Sequence, residues 1–123
     1  MSLRLNFGLI GYRLTSIFAL IICSCSTGTY AKPASVCPTR SANVQQIDIF
    51  DGDPEDNVYL APDDPYKAPN QYTVGDIYSQ GRMLVVRCHY ADSAVHDIKL
   101  YSPLKICDYK EDKRKHSAAL VCK

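Results

Sequence analysis

The stretch RMLVVRCHY, residues 82–90, decides the fold. Leu84, Val86, Cys88 and Tyr90 fall on one face of an extended chain and Met83, Val85, Arg87 and His89 on the other, the two-residue period of a strand laid over a core. Cys88 therefore points inward. Working outward, residues 95–101 bring Ile98 and Leu100 to the same inner face, residues 105–110 bring Cys107 and Tyr109, and residues 117–123 bring Ala118, Leu120 and Cys122. Upstream, residues 44–50 form a strand with Ile47 and Ile49 inward, and shorter strands are expected at 58–60 and 72–77. No stretch keeps a helical period long enough to compete. The expected fold is mainly β: a small antiparallel β-sheet domain, sandwich or barrel-like, of about seven short strands.

The connections fit that reading. Ser79-Gln80-Gly81 and Ala91-Asp92-Ser93 are tight turns, Ser102-Pro103 breaks the chain, and KEDKRK at 110–115 is a solvated hairpin tip. Links this short make neighbouring strands antiparallel. The exception is APDDPYKAPNQ at 61–71, where Pro62, Pro65 and Pro69 forbid regular pairing and favour an extended, exposed loop.

Residues 1–31 have the build of an export signal. They carry Arg4 and Arg13, no acidic residue, an apolar run at 14–23 too short to span a bilayer, and a small-residue exit at Thr29-Tyr30-Ala31. The expected mature chain is then one domain, residues 32–123, in the periplasm and without a membrane span. Ile22-Cys23-Ser24-Cys25 offers a second processing route, a lipoprotein signal that would anchor the chain through Cys25.

So small a domain has barely enough interior to offset its chain entropy, and covalent links should supplement the packing. Of six cysteines, Cys23 and Cys25 leave with the leader, and Cys37, Cys88, Cys107 and Cys122 form an even set suited to two disulfides in an oxidising compartment. Four cysteines allow three pairings. The midpoint between Cys107 and Cys122 falls at 113–115, the expected hairpin tip, so these two should face one another and leave Cys37 to Cys88. Constraining the unfolded chain makes the shorter link worth roughly 3 kcal/mol and the longer roughly 4 kcal/mol.

Charge and motifs exclude several function classes. Of 14 basic residues two leave with the leader, and the remainder nearly balance 13 acidic ones, which argues against a nucleic-acid or anionic-membrane partner. Every mature cysteine is better used in a disulfide than as a nucleophile. His89, His96 and His116 stand in no metal-ligand spacing, and no nucleophile elbow, phosphate-binding glycine loop or zinc-protease motif occurs. The expectation is a protein without enzymatic activity, cofactor or metal.

Two polar segments remain as partner-binding candidates. FDGDPED at 50–56 crowds Asp51, Asp53, Glu55 and Asp56 around a glycine. It can be an acidic surface for a basic partner, or a turn in which Asp53 caps one helical turn begun by Pro54. As a calcium loop it is incomplete, because Pro54 interrupts the pattern and the terminal bidentate glutamate is missing. The second segment is the proline-rich loop with Asp63, Asp64 and Tyr66. Tyrosines are abundant and tryptophan absent; Tyr90 and Tyr109 should lie in the core, whereas Tyr66 should be available to a partner.

The ordered series Cys37-Pro38, Ile-Phe-Asp-Gly-x-Pro-Glu at 49–55, Leu60-x-Pro62-Asp63, Cys88-x-Tyr90, Pro103-Leu104-x-x-Cys107 and Leu120-Val121-Cys122-Lys123 resembles a small family of exported proteobacterial proteins catalogued under a Salmonella locus tag. The resemblance implies periplasmic residence and a disulfide-held β domain, and brings no reaction and no residue role. In size and style the chain is also similar to periplasmic lysozyme inhibitors and to immunity proteins against wall-degrading toxins. The functional expectation is a binding protein whose partner is a protein, as an immunity protein or inhibitor of a cell-wall hydrolase. The alternative is a structural envelope component, anchored through Cys25.

Overall fold

The computed structural model describes residues 34–123, so the expected signal peptide and Cys25 lie outside the described residues. Six strands, β1 (Val44–Asp51), β2 (Asn70–Thr73), β3 (Leu84–Tyr90), β4 (Val95–Leu100), β5 (Ile106–Asp112) and β6 (Ser117–Cys122), form two antiparallel three-stranded sheets. One has the order β1-β3-β4 and the other β2-β5-β6. Their inner faces meet in one core, and β1 packs beside β6. The fold is mainly β, as the alternation in residues 82–90 requires.

The strand that decides the fold keeps the expected inward face, although Val85 on the opposite face is buried as well. Leu84, Val86, Cys88 and Tyr90 are all buried, and they meet Ile47 and Ile49 from β1 and Cys107, Ala118 and Leu120 from the second sheet. Tyr90 is in the core as expected, its hydroxyl donating to the Pro38 carbonyl at 2.7 Å, and Tyr109 packs half-buried against the same cluster. The turn after β3 closes through Ser93 N–H to the Tyr90 carbonyl and Tyr90 N–H to the Ala94 carbonyl, with Ser93 in the left-handed region.

Both disulfides have the expected partners. Cys107 and Cys122 stand directly opposite on β5 and β6, and Cys37 reaches Cys88 in the middle of β3. Just before Cys37, Val36 N–H donates to the Leu120 carbonyl on β6. The segment thus clamps one sheet covalently and the other by a hydrogen bond.

Two expected strands differ. Residues 58–60 make a single bridge, Tyr59 to Phe50, because the left-handed Asn57 and Pro62 leave too little extended chain between them. Residues 72–77 divide: β2 stops at Thr73, and a short helix α1 (Gly75–Ser79) follows. The physical reason is visible in Val74, Ile77 and Tyr78, whose i, i+3, i+4 spacing suits one helical face. Val74 and Ile77 are buried and Tyr78 packs half-buried, donating its hydroxyl to the Leu100 carbonyl at 2.8 Å. Gly81, at φ +80°, then turns the chain from α1 into β3, so Ser79-Gln80-Gly81 is a helix exit.

No helix among the described residues is long and apolar enough to cross a membrane. The two disulfides suit an oxidising compartment outside the cytosol.

Candidate interaction site

The acidic segment after β1 is largely occupied in holding its own shape. Gly52 turns the chain at φ +88° and donates its N–H to the Met83 carbonyl. Asp51 takes two hydrogen bonds from Arg82, Nε to Oδ1 at 2.7 Å and Nη2 to Oδ2 at 2.9 Å. Hydrogen bonding to this carboxylate raises the pKa of the Arg82 guanidinium further. Asp53 caps the single 3-10 turn Pro54–Asp56, its Oδ1 accepting from Glu55 N–H at 3.0 Å, with the buried Pro54 opening the turn. The turn reading of FDGDPED is therefore the one the chain adopts. Glu55 and Asp56 are exposed and form no ion pair among the described residues. Among those residues, no three His, Cys, Asp or Glu side chains converge as ligands of one metal ion would.

The proline-rich segment is exposed, as expected, and is firmly tethered at its base. Asp63 N–H donates to the Gln71 carbonyl, while the Asp63 carboxylate accepts from Thr73 N–H at 3.0 Å and from Thr73 Oγ1 at 2.7 Å. Asp64 Oδ1 accepts from Tyr66 N–H at 3.0 Å, a turn that directs the tyrosine, and the Ala68-Pro69 peptide bond is cis. Tyr66 is 97% exposed. Pro69 separates two shallow grooves. One, of about 500 Å³, runs between Pro69 and Asn70 and the β5 residues Tyr109, Lys110 and Glu111. The other, of about 270 Å³, is acidic, with Asp63, Asp64 and Asp108 around Lys67.

The two candidate loops belong to different parts of the sandwich, one leaving β1 and the other entering β2, and no hydrogen bond or ion pair joins them among the described residues. Asp51, Asp53, Asp63 and Asp64 shape the loops; Glu55, Asp56 and Tyr66 are the groups turned to solvent.

A third polar surface, on the outer face of the first sheet, went unrecognised in the sequence. Arg87 and Asp97 form paired hydrogen bonds across β3 and β4, and His89 Nε2 lies 2.8 Å from Asp48 Oδ2 across β3 and β1. Gln46 donates to the other Asp48 oxygen at 2.9 Å. The hydrogen bond from Arg87 is the main cause that holds the Asp97 carboxyl below its ordinary range. Phe50 is wholly buried on this side, its ring 4.5 Å from that of Tyr59 and 5.3 Å from the Arg87 guanidinium. The signal was available: Asp48, Arg87, His89 and Asp97 are the polar members of three alternating patterns, and pairing β1 and β4 to β3 brings them together.

Compared with known proteins, the chain matches no family model, no curated protein and no solved structure.

Proposed function

We propose that this chain is a non-enzymatic periplasmic binding protein, an inhibitor or immunity protein that blocks a cell-wall hydrolase by seating the proline-rich loop in its cleft. The observation that carries this reading is Tyr66, fully presented at the tip of a loop whose base is fixed by the Asp63 to Thr73 and Asp64 to Tyr66 hydrogen bonds. An exposed aromatic on a preordered loop loses little conformational freedom on binding and supplies a large contact area, the combination found in interface anchors. The acidic groove beside it, with Asp63, Asp64 and Asp108, would speed encounter with a basic cleft. Two disulfides suit a protein that must survive outside the cytosol.

Affinity capture from periplasm, followed by a peptidoglycan-hydrolysis assay on the captured enzyme, tests the proposal. The wild-type chain should inhibit, and Tyr66→Ala should weaken inhibition by about tenfold or more while leaving the melting temperature unchanged. Full hydrolase activity at saturating protein, or equal inhibition by the folded variant, would overturn it.

A further inference from the structure

The four outer edges of the two sheets are not treated alike. The free side of β1 is covered by residues 58–60, through Asp51 N–H to the Val58 carbonyl and Leu60 N–H to the Ile49 carbonyl. The free side of β6 receives Val36, and the free side of β2 receives Asp63. Along β4 no segment among the described residues occupies the side away from β3. The turn bond from Tyr90 N–H to the Ala94 carbonyl sets the register, so His96, Ile98 and Leu100 are the residues that exchange backbone bonds with β3. Val95, Asp97 and Lys99 accordingly direct their N–H and carbonyl groups outward. An open row of this kind is a template for another strand.

We propose that β4 pairs antiparallel with β4 of a second copy of this chain, about a two-fold axis through Ile98, merging two three-stranded sheets into one of six strands. The strand's own sequence selects this occupant and this register. With Ile98 on the axis, Asp97 of each copy lies opposite Lys99 of the other, and Val95 lies opposite Tyr101, the first residue beyond β4. Val95 is 52% exposed and Tyr101 72%, two of the few large apolar side chains left to solvent. Paired, they form an aromatic to β-branched contact, which together with two opposite-charge pairs is the most favourable set of cross-strand neighbours this strand can make with itself. On the inner face the same register sets Ile98 against Ile98 and His96 against Leu100. Sliding the pairing by two residues in either direction places Asp97 on Asp97 or Lys99 on Lys99, and like charges directly opposite oppose pairing. Lys99 is thus both the charge that discourages unrelated strands from this edge and the partner that accepts the right one. A six-residue edge buries little area, so the dimer is a reversible one.

Sedimentation velocity of the mature chain over a roughly hundredfold concentration range reads the association. The wild type should pass from monomer to dimer. Asp97→Lys and Lys99→Asp alone should each weaken self-association by at least about tenfold, since each sets like charges opposite one another. Mixed in equal amounts, the two variants should recover a heterodimer, because the lysines of one then face the aspartates of the other. Lys99→Asp leaves the Arg87 to Asp97 contact in place and Tyr66→Ala lies in the loop that enters the other sheet, so a folded Lys99→Asp chain and an unchanged Tyr66→Ala dimer keep the result separate from folding and from hydrolase binding. A wild type that stays monomeric throughout, or a dimer indifferent to both charge variants, would overturn the inference.

Discussion

Arg87 of β3 and Asp97 of β4 stand directly opposite one another, and two parallel hydrogen bonds of 2.7 and 2.9 Å join the guanidinium to the carboxylate. They occupy a pair whose backbones do not exchange hydrogen bonds, the geometry in which facing side chains come closest. β4 buries little of itself, with Ile98 and Leu100 only half-covered. This ion pair is therefore one of the few side-chain ties that hold the strand to the sheet.

Because the hydrogen bond from Arg87 lowers the Asp97 pKa in the folded state, the pair's contribution is present above the unfolded value near 4 and is lost as pH falls through the depressed folded value. Both side chains are about one-third exposed, so solvent screening limits the pair to about 1 kcal/mol. Asp97→Asn should lower stability by about that amount at neutral pH, and should lose less than the wild type does on acidification below pH about 4. Urea unfolding at the two pH values measures the difference; parallel losses in both proteins would show the pair is inert.

Phe50 anchors a second, smaller apolar cluster outside the main core. It is fully buried on the outer face of the first sheet, beside Tyr59 and Arg87. Phe50→Ala should cost about 3 to 5 kcal/mol, a large part of the stability of a domain this size. The same substitution at Tyr59, which is 58% exposed, should cost much less. Equal losses in thermal melts would contradict that ordering.

Phe50 also shows why the sequence was legible in one part and not in another. Alternation within a strand is a local rule, and it located Leu84, Val86, Cys88, Ile47 and Ile49 because each lies on the face that meets the core. It assigns Phe50 to the outside, and there Tyr59 covers it, brought back by a pairing of residues 58–60 with β1 that no local rule foresees. The helix α1 failed differently: the spacing of Val74, Ile77 and Tyr78 is helical, but a single turn is too short to outweigh a strand reading begun at Tyr72. The disulfides were readable because the hairpin tip at Lys113 to His116 fixes which cysteines oppose one another. At the candidate site the sequence located exposed loops, but could not distinguish carboxylates that shape them, such as Asp53 and Asp63, from groups left free for a partner, since that depends on backbone N–H direction.

Burial raises the pKa of Tyr72, Tyr78 and Tyr109 above the ordinary 10.0. A raised folded value means the stability these groups contribute is complete below the unfolded pKa and is lost as pH rises through the folded one. Alkaline titration followed by tyrosinate absorbance should show Tyr72, Tyr78 and Tyr109 ionising above pH about 10 together with loss of β-sheet signal. Ionisation of those three tyrosines while the β-sheet signal is intact would refute this.

Asp63 holds the base of the proline-rich loop through both carboxylate oxygens, so its removal should free the loop while sparing the core. Asp63→Ala should cost about 1 kcal/mol and should open new protease cleavage within residues 61–70. If the loop acts as proposed, the variant also binds its partner more weakly although Tyr66 itself is unchanged, because an ordered loop must now be formed during binding. Resistance to cleavage equal to the wild type would show that Pro62, Pro65 and Pro69 alone fix the loop.

The two disulfides should differ in what they stabilise, because they close loops of different length and join different structures. Cys107 and Cys122 are separated by 15 residues and link neighbouring strands that are already hydrogen-bonded, so replacing both with alanine should cost about 3 kcal/mol. Cys37 and Cys88 are separated by 51 residues and fasten an irregular segment, otherwise held to the second sheet by the Val36 and Ser35 hydrogen bonds to Leu120, onto the buried centre of β3. Removing that pair should cost about 4 kcal/mol from the longer loop alone, and should further loosen the clamp between the sheets. Urea midpoints should therefore fall further for Cys37→Ala with Cys88→Ala than for Cys107→Ala with Cys122→Ala, and protease should cut the first variant ahead of β1. If the hairpin pair proves the more costly to remove, the register of β5 and β6, and not the clamp across the sandwich, is what the cross-links secure.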